Sequence, residues 1–140
     1  MTPRFSLRMT SVEGTFFNGK VEEVTIPLAD GQMGILAHHD EAAIAMVPGE
    51  VSVRTPDGQT HIWIVSEGFA NVANNRMKVI VYSAERPEDV DINRAKEDEE
   101  RARDELRQKK NREEYRTAEI YLARSMARLS GARKYTNLGD

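Results

Sequence analysis

The 140-residue chain has no cysteine. Disulfide frameworks, thiolate metal sites and cysteine nucleophiles are therefore excluded. No apolar run reaches the ~18 residues of a membrane span. The opening stretch MTPRFSLRMTSVEG lacks the long apolar segment of a secretory signal. The expectation is a soluble chain that can still dock on a membrane complex. An excess of positive charge is also missing, since the net charge is −3 and the pI about 5.7. That balance disfavours nucleic acid as a partner. No P-loop, nucleophile–base set or paired acids with convincing context is present, so the chain reads as non-enzymatic.

What is present is charge of both signs, unevenly placed. Residues 1–90 hold 7 Lys/Arg against 12 Asp/Glu, and residues 91–140 hold 13 against 11. The second segment is almost half charged yet nearly balanced, which suits solvated helix faces.

The two segments also differ in period. Phe5, Leu7 and Met9 alternate with polar neighbours, as do Val24, Ile26 and Leu28, Val51 and Val53, and Met77, Val79 and Val81. A period of two puts one strand face on a core. The run HIWIVS at 61–66 is apolar on both faces and predicts a central strand. Asp30-Gly31, Pro48-Gly49, Asp57-Gly58 and Asn74-Asn75 mark turns. The spacing predicts an antiparallel sandwich or barrel.

After Pro87 there is no further proline, and no glycine until Gly131. Good helix formers dominate. Asp91 is placed to N-cap a first helix that carries Ile92, Ala95, Glu99, Ala102 and Leu106 at spacings of three and four. The polar stretch RQKKNRE at 107–113 contains Asn111, a plausible break. A second helix then carries Tyr115, Ala118, Tyr121, Leu122, Ser125, Met126 and Leu129 along one side, with Gly131 as a natural C-cap. A helical hairpin is the simplest picture, and one continuous helix the competing one. Domains are expected at 1–87 (β-sandwich) and 88–140 (helical). The first helix offers mainly alanine, so the apolar contact of a hairpin is thin. Such a pair depends on docking, a ligand or a partner for its place.

Arg94 lies one turn into the first helix, and Arg124 and Arg128 are four apart on the second. A folded hairpin brings the end of helix two beside the start of helix one, so the three guanidinium groups converge near Asp91. Such forks suit phosphate oxygens. The plainer alternative stays open: Asp91 only caps, Arg94 pairs with Glu97 or Asp98, and Arg124 and Arg128 form a solvated stripe. The HHDE run at 38–41 holds metal-type ligands, but adjacent side chains on an extended segment point to opposite faces. No metal site is expected there.

Several stretches together resemble the epsilon subunit of F-type ATP synthases: TIPLADGQMGIL, SEGFANVANNRMKVIVYSAER, VDINRA and LARSMARL. VDINRA is similar to that family's [I/L]-D-x-x-R-A pattern, with Val in first place. The resemblance covers essentially the whole chain. It implies an all-β N-terminal sandwich of about ten strands followed by a two-helix antiparallel hairpin. It implies a non-catalytic rotor subunit at the foot of the central stalk, on the cytoplasmic face of the membrane, against the gamma subunit and the c-subunit ring. Its helices would fold down, or extend to meet the alpha and beta subunits and block ATP hydrolysis. No cofactor is implied as required. ATP is implied as a regulatory ligand on Glu85, Val90, Asp91, Arg94, Ala95, Arg124 and Arg128. One departure stands out. Ala37, His38 and Glu41 replace the family's usual Pro, Gly and Pro, while His39 falls on the family's His. A stand-alone β-domain and coiled-coil adaptor without a nucleotide site is the alternative function.

Overall fold

The computed structural model describes residues 2–108 and 111–136. Ten strands occur among them: β1 Phe5–Ser11, β2 Gly14–Val21, β3 Glu23–Leu28, β4 Gly31–Leu36, β5 Ala42–Met46, β6 Gly49–Arg54, β7 Thr60–Val65, β8 Gly68–Ala73, β9 Arg76–Val81 and β10 Ala84–Glu85. They form two five-stranded sheets, β2-β1-β9-β8-β5 and β10-β7-β6-β3-β4. The alternating residues named from the sequence face each other between the sheets. Leu7, Met9, Val24, Ile26, Val51, Val53, Met77 and Val79 all lie in the buried cluster.

The turns form where glycine and asparagine stand. Asn74 and Asn75 take φ values of 53° and 59° between β8 and β9. Two successive left-handed residues match the twist of a two-residue hairpin, and asparagine tolerates that conformation better than most side chains. The sandwich is not purely antiparallel, because β1 pairs with β9 in parallel. These are the first and last long strands of their sheet. No hairpin joins them, so no turn imposes an antiparallel sense.

The run HIWIVS is β7 with its flanks, and its two apolar faces have separate uses. Trp63 and Val65 point into the sandwich core. Ile64, on the opposite face, packs with Val90 and Ala132. The second face is apolar because a helix covers it.

A short 3-10 turn at Pro87–Asp89 leads into α1, Ile92–Arg107, and α2 follows at Arg112–Thr136. The Asp91 side chain accepts from the Arg94 backbone N–H at 3.1 Å and starts α1. Asn111 does the same for α2, accepting from the Glu114 N–H at 2.9 Å. The helices run antiparallel as a hairpin, with early α1 (Asp98) beside late α2 (Arg128). Residues 109 and 110 of the expected polar turn, and the chain end at 137–140, lie outside the described residues.

Two expectations for α2 need correction. Gly131 does not cap the helix, which continues to Thr136. Burial against β7 outweighs its poor helix propensity. Tyr115, Tyr121 and Met126 are not on the buried stripe; each is 45–49% exposed. The buried stripe is Ala118, Ser125, Leu129 and Ala132, at spacings of three, four and seven. Small residues there let α2 approach Ala95 and Ala102 of α1 closely, and bulky side chains are left outside.

Candidate functional site

Where the hairpin meets the β-domain, a slot of about 750 Å³ opens between α1, α2 and the β9–β10 segment. The backbone sets its β-domain wall. The buried Ser66 Oγ accepts from the Ser83 N–H at 2.7 Å, and the Tyr82 N–H donates to the Glu67 carbonyl at 3.1 Å. Those bonds set Glu67 beside Tyr82; Tyr82, Ser83, Ala84 and Glu85 line the slot, and Glu67 is not among its lining residues.

The α2 wall faces them with Tyr121, Arg124, Ser125 and Arg128. Residues seven apart on a helix stand about 10 Å from each other, so the slot is elongated. At one end Arg128 donates from Nε to Glu85 Oε1 at 2.5 Å and from Nη2 to Oε2 at 3.4 Å. Its Nη1 lies 3.9 Å from Asp98 of α1. Arg128 thereby ties β10, α1 and α2 together. In the middle, Arg124 holds Glu67 with a fork of two hydrogen bonds, 2.9 Å and 2.5 Å. Its guanidinium also lies 4.4 Å from the Tyr82 ring centroid and 5.6 Å from that of Tyr121. Paired donors and two aromatic rings fix this arginine in one orientation. The hydrogen bonds from Arg124 hold the Glu67 carboxyl below its ordinary range, against an opposing effect of burial. The same bonds raise Arg124 further. Arg101, also on the slot wall, donates to Asp98 at 3.1 Å.

Of the residues singled out in the sequence, Glu85, Arg124 and Arg128 share this slot. The other four do not line it. Val90 packs against Ile64 and Ala132. Ala95 is fully buried. Asp91 caps α1. Arg94 is exposed, one turn before Asp98. The convergence of three arginines at one end is therefore a convergence of two, Arg124 and Arg128, with Arg101 as the third guanidinium on the wall. Sequence reasoning missed Glu67, Tyr82 and Arg101, and named Asp98 only as a partner of Arg94, not of Arg128. Only Asp98 and Arg101 carried a local signal, as charges at i+4 and i+7 from Arg94 on the same helix. Glu67 carried none.

In the HHDE loop, the His38 N–H donates to Asn75 Oδ1 at 2.8 Å. His39 Nδ1 lies 2.6 Å from the Asp40 carbonyl oxygen. Among the described residues no three His, Asp or Glu side chains come together as a metal-binding set, and no helix is long and apolar enough to cross a membrane.

The chain is thus a β-sandwich that holds a helical pair by ion pairs beside a slot, the architecture of a subunit with a helical appendage. Residues 4–87 match the family described as "ATP synthase, Delta/Epsilon chain, beta-sandwich domain", and residues 88–132 match "ATP synthase, Delta/Epsilon chain, long alpha-helix domain". The chain belongs to this delta/epsilon family of ATP synthase subunits, structural and regulatory rather than catalytic. It is 35% identical to the ATP synthase epsilon chain of Ruminiclostridium cellulolyticum over 130 residues, 93% of this chain and 96% of that one. It is 35% identical to that of Caldanaerobacter subterraneus over 138 residues, 99% of this chain and all of the relative. A chain in the Euglena gracilis mitochondrial ATP synthase structure shares the fold, with a TM-score of 0.76 at 24% identity, covering 91% of this chain and 81% of that one.

Proposed function

We propose that this subunit rides on the central stalk of its ATP synthase, on the cytoplasmic face of the membrane. Its β-domain would contact the gamma subunit and the c-subunit ring. Its helices would act as a brake on ATP hydrolysis, released to reach the alpha and beta subunits and held back when folded onto the β-domain. ATP is the ligand that favours the folded posture.

One observation carries this reading. The slot is walled by both helices and by the β-domain, so anything bound in it touches all three. Released helices would no longer form it. A ligand that binds one posture only shifts the balance by its differential affinity. Each charge-assisted hydrogen bond contributes about 1.5–3 kcal/mol, and two or three approach the ~5.5 kcal/mol that moves an equilibrium from 1:99 to 99:1. Arg124 and Arg128 each give two donors to glutamate; Nη1 of Arg124 remains for a phosphate oxygen, whereas a phosphate at Nη1 of Arg128 would displace Asp98. Arg101 is the third guanidinium on the slot wall and Glu85 an acceptor for an amino or ribose hydroxyl group; Arg94 and Asp91, outside the lining, would engage the part of the ligand that extends beyond it.

The test is calorimetric titration of the isolated chain with ATP. Binding is expected, and Arg94→Ala or Arg128→Ala should weaken it at least tenfold without unfolding the β-domain. Unchanged heats in both variants would remove the site.

A further inference from the structure

Gly131 lies inside α2, not at its end. Glycine is the poorest helix former after proline, so its place there needs a reason. The reason lies across the interface. A Cβ built on Gly131 would stand 2.0 Å from Cδ1 of Ile64 and 2.7 Å from its Cγ1. Turning the end of the Ile64 side chain relieves only the first contact. Relieving the second requires χ1 to change, and χ1 of a β-branched side chain is stiff. Ile64 is also 3% exposed, with Val90 and Ala132 packed around it. The helix backbone therefore rests directly on β7.

The salt links bracket this contact. Arg124 and Arg128 hold Glu67 and Glu85 on its N-terminal side. Lys134 and Tyr135 both reach Glu50 of β6 on its C-terminal side, at 3.0 Å and 2.8 Å. Residues 124, 128, 131 and 135 follow one another at spacings of four, three and four, one stripe of the helix. Each ion pair tolerates small shifts, because its side chains are long. The Gly131–Ile64 contact does not.

We propose that Gly131 and Ile64 form the seat that sets the balance between docked and released α2, independently of nucleotide. Glycine weakens α2 in either posture, but only the docked posture uses the space it leaves. An alanine at 131 thus strengthens the helix in both postures alike and obstructs only the docked one. The inference rests on the released posture proposed above.

The experiment is hydrogen exchange on the full chain, reading amides 121–135 against those of β9. In the wild-type background, Gly131→Ala should lower protection of 121–135 at least tenfold, and Gly131→Leu further, with β9 unchanged. In the Ile64→Ala background the same Gly131→Ala change should alter protection less than twofold, because the methyl group then fills vacated space. A gain in protection in both backgrounds would mean that helix propensity alone governs the position, and would overturn the seat. So would an equal loss in both backgrounds. Hydrolysis by the assembled synthase separates the two proposals. If Gly131→Ala releases α2 and hydrolysis is unaffected, the seat stands and the braking function fails.

Discussion

Arg128 and Glu85 are 43 residues apart in sequence and meet fork to fork across α2 and β10. Asp98 of α1 approaches the same guanidinium from the other side. Both side chains are a little over a quarter exposed, 26% and 29%, so solvent screens the pair only in part. Removing the arginine leaves two carboxylates facing each other without a cation. Arg128→Ala should weaken docking of the hairpin by about 1–2 kcal/mol, discounted for exposure from the full charge-assisted range. Exchange rates of amides 121–135 measure it, and the β-strand amides should not change.

The Glu67–Arg124 pair makes docking depend on pH. The Glu67 carboxyl, held down by hydrogen bonds from Arg124, sits below its ordinary value of 4.5 when α2 is docked. A group depressed in one state stabilises that state above the unperturbed value and ceases to do so as pH falls through the depressed one. Docking should therefore be unaffected between pH 8 and 5 by this pair and weaken below about 4.5. Arg124 stays charged throughout. Glu67→Gln should dock less well at pH 7 and lose this acid-dependent part. A pH series of α2 protection in both proteins, equal at every pH, would contradict the account.

Much of the sandwich was legible because its cause is local. Alternation at Leu7 and Met9, or Val51 and Val53, follows from strand geometry, and each pair is buried as that geometry requires. The cap at Asp91 was local too, and Asn111, read as a break, is where α2 is capped. The slot was legible only where sequence spacing brings groups together, as for Arg124 and Arg128. Glu67 lies 57 residues from its partner, and nothing in SEGF marks it as a guanidinium acceptor. Gly131 misled for a related reason: a glycine after a helical run usually ends it. Here the deciding partner was Ile64, a residue already explained as strand. The second apolar face of HIWIVS was the one clue that something covers β7.

The Lys134–Glu50 link should matter much less than Arg128–Glu85. Lys134 is 58% exposed and makes one contact to Glu50, whereas the arginines each make a fork. The Glu50 hydrogen bond raises the lysine's basicity, but solvent screens most of the benefit. Lys134→Ala should cost under about 0.5 kcal/mol of docking. It should also be invisible at 1 M salt, where the Debye length is about 3 Å.

The β-domain should keep its own stability. Ile26 of β3 is fully buried between the sheets and does not line the slot. Ile26→Ala should cost about 2–5 kcal/mol of sandwich stability by urea unfolding, through lost burial and the cavity left behind. Hairpin docking should be unaltered below the unfolding transition. A variant in which α2 exchange accelerates at low urea would show that core and seat are coupled.

The contact between the two helices is the last to test, because it differs in kind from docking. α1 and α2 approach through Ala95, Ala102 and Ala118, all nearly fully buried. Ala102→Leu forces a large side chain into that contact, and overpacking costs about 1–3 kcal/mol. α2 retains its own links to the β-domain through Glu67, Glu85, Glu50 and the Gly131–Ile64 contact, none of which involves α1. α1 has fewer such anchors, chiefly Asp98 at Arg128 and the chain connection through the 3-10 turn. Ala102→Leu should therefore speed amide exchange across α1 at least tenfold while residues 124–135 of α2 slow or hold. Equal acceleration in both helices would mean that the hairpin docks and releases as one rigid unit, with α1 supplying part of the grip that the salt links now explain.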